Sequence, residues 1–157
     1  MQYTSLDLLN KAINITRRRK KIYEEIERNE NSNISVKIIS KVLIKEVDRN
    51  IEFYNALIKR TSLDEFENID FIIYDKISFL IDEFNNKEYK SEIKDVRTCI
   101  IFAITLEKDI YSLIINIQGR LVQGTKDTFS QIYKNLSDVI NHKVSYIAML
   151  EKILKEN

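Results

Sequence analysis

Apolar residues recur along this chain in alternating steps of four and three, the spacing that keeps side chains on one face of an α-helix. The clearest run is Val96, Ile100, Ala103, Glu107, Ile110, Ile114, Ile117 and Leu121, in which every member except Glu107 is apolar. A second runs through Ile132, Leu136, Val139, Lys143, Tyr146, Leu150 and Ile153, again with one charge in the middle. Earlier in the chain, Val36, Ile39, Leu43, Val47, Asn50, Tyr54 and Leu57 form a third, and Leu9, Ala12, Thr16, Arg19, Tyr23 and Ile26 a fourth. A fifth, Phe66, Ile69, Ile73, Ile77, Leu80 and Phe84, is wholly apolar and reads as packing alone. Breaks fall at NENSN, Thr61-Ser62, NNKEYKS and QGTKD. The pattern therefore predicts five helices, over about 4–30, 34–61, 64–86, 91–122 and 127–156. Gly124 is placed to take a positive φ at a helix end, with Thr125 or Asp127 as N-cap of the last helix.

Composition supports this reading. The chain has no proline and two glycines, so the usual breakers of long helices are scarce. Its 157 residues suit one domain spanning 1–157, with 44% hydrophobic content in the globular range. Twenty-five basic and 24 acidic residues nearly cancel, which gives no general attraction to nucleic acid or anionic lipid. The apolar runs fall short of a membrane span, and MQYTSLDLLNK lacks the basic start and apolar stretch of a secretory signal. A cytoplasmic protein is the expectation. A single cysteine, Cys99, excludes a disulfide within these residues, and a single histidine, His142, excludes a site needing two histidines from one chain.

Two stretches echo one another. KIYEEIERNENSNISVKIISKVLIKEVDRNIEFYNALI and LEKDIYSLIINIQGRLVQGTKDTFSQIYKNLSDVINHKVSYIAMLEKIL are each a helix, a short break and a second helix, which suggests duplication of a helical hairpin. With VLIKEVDRNIEFY similar to a second-helix phrase, LEKDIYSLI to the start of a third bundle helix and VSYIAMLEKIL to the end of a fourth, the chain resembles the ferritin-like superfamily, in particular its rubrerythrin-type members. The likeness spans residues 12–60 and 96–154. It implies an all-α, antiparallel bundle of four core helices, with hairpins 4–61 and 91–156 joined by a helical crossover segment, 62–90.

In that family, inward glutamates and Glu-x-x-His motifs hold a pair of irons in the bundle core. Carried over onto this chain, the first-helix glutamate falls on Thr16, and the second-helix pair on Val47 and Asn50. The third bundle helix retains Glu107 but has Ile110 three residues on, and the last helix offers Lys143 and Tyr146. One ligand survives, and a lysine adds positive charge where a cation would sit. The resemblance thus implies the fold, with no metal or cofactor and without the family's redox chemistry.

A carboxylate on an apolar seam needs a partner, because an ionised group moved into a low-dielectric core costs several kcal/mol unless it is paired. The expectation is a metal-free polar layer of Thr16, Arg19, Asn50, Glu107, Lys143 and Tyr146, in which Glu107 pairs with Lys143, Arg19 or both. The alternative is a seam one residue out of phase, with Glu107 at the helix boundary.

Other features read as ordinary surface or core. The basic run Arg17 to Lys21 points all round a helix axis and reads as a solvated face, with Arg19 inward. His142 reads as an exposed or flanking residue and Cys99 as a small buried hydrophobe. No glycine-rich phosphate loop, placeable Ser/His/Asp arrangement or inward carboxylate pair supports an enzyme. Three functional readings follow, the first being a non-catalytic bundle that associates through a helical face with a second copy or another protein. The second is a metal-binding, di-iron or mononuclear oxidoreductase or iron-handling protein with a site rearranged around Glu107, His142 and another carboxylate. The third is anion or nucleic-acid contact through Arg17 to Lys21.

Overall fold

The computed structural model describes residues 3–29, 33–61, 68–89, 92–124 and 131–156. They form an all-α protein with one minimal sheet: β1 (Tyr3–Thr4), α1 (Ser5–Arg28), α2 (Ile34–Arg60), β2 (Asn68–Ile69), α3 (Phe71–Asn86), α4 (Val96–Gly124) and α5 (Gln131–Glu156). The chain divides into two compact units.

One unit contains α1 from Leu6, α2, and the opening of α4 through Phe102. Asn33 starts α2: its Oδ1 accepts from the Val36 N–H at 2.9 Å, while its Nδ2 donates to the Lys94 carbonyl at 3.3 Å, beside the start of α4. At the other end, the Thr61 N–H and hydroxyl both donate to the Leu57 carbonyl, at 3.2 and 2.7 Å. α1 and α2 run antiparallel, as two ion pairs show: Lys20 with Asp48 at 2.8 Å and Glu27 with Lys41 at 3.9 Å, so rising numbers on one helix meet falling numbers on the other. Buried apolar residues here include Leu9, Ile13, Tyr23, Val36, Leu43, Val47, Tyr54, Leu57, Cys99 and Ile100.

The other unit contains β1, β2, α3, α4 from Ala103, and α5. Tyr3 pairs with Ile69 and Thr4 with Asn68 in an antiparallel register, and the Tyr3 ring stacks on Tyr74 of α3 with centroids 3.9 Å apart. Asp70 then caps α3 by accepting from the Ile72 N–H at 2.9 Å. Ile73, Ile77, Ile81 and Phe84 are the buried stripe of α3. α4 and α5 are antiparallel: Lys108 meets Glu151 at 3.2 Å, and further along Gln118 donates to the Ser137 hydroxyl at 2.8 Å and the Tyr133 carbonyl at 3.2 Å.

Several expected boundaries need correction. α3 begins at Phe71 rather than 64, because Asn68–Ile69 pairs as a strand and Asp70 supplies the cap. α4 begins at Val96 rather than 91: the Thr98 N–H donates to Asp95 Oδ1 at 2.8 Å and Thr98 Oγ1 accepts from the Asp95 N–H at 3.1 Å, a reciprocal capping pair. The Thr98 backbone N–H, and after it the Thr98 side chain, hold the Asp95 carboxyl pKa below its ordinary value. α4 continues through Gly124, and no glycine among the described residues has a positive φ. Phe66 and the expected caps Thr125 and Asp127 lie outside the described residues.

Candidate functional site: a buried ion pair between α4 and α5

Seven of the eight seam positions of α4 are buried, and Val96 is half-buried. Glu107 sits among them with 0% exposure, so the out-of-phase alternative is wrong. One helical turn to either side, Ala103 and Ile110 are buried as well, which leaves the carboxylate no route to water along its own helix. Lys143 on α5 is 5% exposed, one turn from the buried Tyr146. Its ammonium donates to Glu107 Oε2 at 2.6 Å. This is a short charge-assisted hydrogen bond, the kind that offsets part of the cost of removing two ions from water. Of the expected layer, Glu107 and Lys143 are thus brought together.

Thr16, Arg19 and Asn50 belong to the other unit and have surroundings of their own there. Thr16 is buried and its hydroxyl donates to the Ala12 carbonyl at 2.8 Å, within its own helix. Arg19 is 2% exposed, with its guanidinium carbon 6.0 Å from the centre of the Tyr23 ring. Asn50 is half-buried. Burial raises the Tyr54 hydroxyl pKa from 10.0 to about 12, against the opposing pull of the Arg19 charge. That effect places a buried cation near a buried phenol.

The basic run disperses round α1 as its spacing predicts: Arg17 and Lys21 are exposed, Arg18 and Lys20 half-buried, and Arg19 buried. Lys20 is held by Asp48, whose hydrogen bond is the largest influence raising its pKa. The Arg18 guanidinium carbon lies 5.9 Å from the Tyr89 ring centre. His142 is exposed on α5, whereas Glu107 is enclosed. Among the described residues no three His, Cys, Asp or Glu side chains gather where a metal ion could be held. Cys99 is buried, and burial pushes its thiol pKa up while a hydrogen bond with Ser40 acts in the other direction.

Ser40 was not anticipated. It is fully buried on α2, its hydroxyl donating to the Val36 carbonyl at 2.8 Å. A small hydroxyl that satisfies itself on its own helix leaves no periodic signature. Glu46, also buried, meets Arg49 at 3.6 Å. The Asp95–Thr98 pair had a signal, an Asp followed three residues later by a side-chain acceptor.

No described helix is long and apolar enough to cross a membrane. No family model, curated protein or solved structure matches the chain.

Proposed function

We propose that this chain is a ferritin-like helical bundle of rubrerythrin type in which protein side chains take the place of the di-iron centre, and that it serves as a structural or partner-binding protein without catalysis or cofactor. The observation that carries this reading is the enclosed contact between Lys143 and Glu107 at 2.6 Å. In the sequence likeness both positions belong to the metal-binding layer. Here the only retained carboxylate is engaged by an ammonium, and divalent ions would have to displace that cation or sit beside it. Repulsion between like charges in a low-dielectric interior opposes both. The residues at the other ligand positions, Thr16, Val47, Asn50, Ile110 and Tyr146, bring no further carboxylate or imidazole, so this set does not fit two irons. The antiparallel α1–α2 and α4–α5 pairs, with α3 in the connection, support the bundle topology.

Elemental analysis of protein purified without chelator tests the reading. Iron and manganese are expected far below one ion per chain. Near-stoichiometric metal that survives dialysis would overturn it.

A further inference from the structure

Two exposed helix faces carry apolar side chains interspersed with charge of opposite sign. On α2, Ile34 is 75% exposed and is followed by exposed Ile38 and Val42, one turn apart. Lys41 and Lys45 rise from the same face, and the Lys41 side chain stays well exposed even with Glu27 at 3.9 Å. On α3, Phe79 is 63% exposed, and Phe71 and Ile72 lie exposed two turns before it. Asp75 lies between Ile72 and Phe79 along this face, and with Asp82 and Glu83 beyond it the acids outnumber Lys76.

The two stripes also match in length. Each extends over nine residues, about 12 Å of helix. Exposed large apolar side chains gathered on one face mark candidate association surfaces. We infer that α2 of one copy of this chain docks on α3 of the next, apolar stripe on apolar stripe, with Lys41 and Lys45 against the acids of α3. The inference rests on the reading of the chain as a partner-binding bundle and names the partner as a second copy.

Charge selects this pairing over the symmetric ones. Two α2 faces together would set lysine against lysine, and two α3 faces would set acid against acid; such like-charge contacts are penalised. The contact pairs unlike faces, so a pair of copies joined by one such contact keeps an α2 face and an α3 face that can engage each other or further copies. It also weakens with salt, since both edges are solvated.

Sedimentation velocity over a wide range of concentration tests this with three proteins. The unaltered chain is expected to show concentration-dependent growth in mass, to dimer or further, and less of it at high salt. Lys41→Glu with Lys45→Glu leaves both faces acidic, and Asp75→Lys with Asp82→Lys leaves both basic; each variant alone is expected to lose that growth. An equimolar mixture of the two is expected to regain it with both chains in equal amounts, which also shows that both variants fold. The inference is overturned if the unaltered chain stays monomeric, if either variant assembles alone, or if the mixture stays monomeric. Metal content of the same preparations keeps the two proposals apart: a metal-free monomer would defeat the second-copy inference alone, and an iron-loaded polymer would defeat the metal-free reading alone.

Discussion

At Glu107 and Lys143, two hydrated ions exchange their water for protein contacts that include a short one to each other. Taken out of water separately, each would carry a desolvation cost of several kcal/mol, and their mutual attraction at 2.6 Å returns part of it. Against two leucines the pair gains little or nothing. What it contributes is selectivity for one arrangement, since a slip of either helix by a residue would separate the charges and strand both. Tyr54 is a second buried polar group, and its consequence is read in pH. Below the ordinary value of 10.0, folded and unfolded chains both keep the phenolic proton, and its contribution to stability is complete. Between that value and about 12 the unfolded chain ionises first, so stability falls as pH rises through the window. The loss amounts to about 2 kcal/mol at the top of the window. Tyr54→Phe is expected to show a shallower decline in denaturant midpoint above the lower value than the unaltered chain; identical slopes would place the phenol in water.

At the scale of the element, the helix interiors were legible and several ends were not. The α4 seam was readable because burial on both sides of Glu107 enforces a strict period over more than six turns, from Val96 to Leu121. Its true buried surface is wider, taking in Cys99, Phe102, Ile104, Leu106 and Leu113, because a helix enclosed on several sides buries more than one stripe. The starts of α3 and α4 were misjudged since apolar periodicity carries no information about caps, which here depend on single side chains, Asp70 and Asp95. β1 and β2, two residues each, are too short for alternation to register. α4 also contains a residue that its helix does not need: Gly119 is exposed in mid-helix, and a Cβ added there would meet nothing within 4 Å. Gly119→Ala should stabilise by about 0.5–1 kcal/mol through lower unfolded-state entropy. A melting temperature raised by roughly 2–4 °C is the expected readout; a lowered one would mean that this surface is covered in the assembled protein.

For the whole molecule, apolar periodicity and scarce breakers pointed to a long-helix protein, and the described residues bear out the all-α class. The candidate site was half legible. The seam identified Glu107 and Lys143 as buried charges at matching heights, but periodicity alone could not choose between Lys143 and Arg19, because it gives the face of a residue and not its neighbour across the gap. The geometry places Lys143 on Glu107, while Arg19 lies beside Tyr23 and acts on Tyr54. The proposed function depends on that choice, since it rests on Lys143 occupying the Glu107 carboxylate.

The most direct measurement is chemical denaturation of Glu107→Ala beside Glu107→Ala combined with Lys143→Met. The single change strands a buried ammonium and is expected to cost about 3–5 kcal/mol, while the double change removes the stranded charge and regains a large part of that loss. Equal losses in the two variants would show that Lys143 does not depend on Glu107, and would contradict the account.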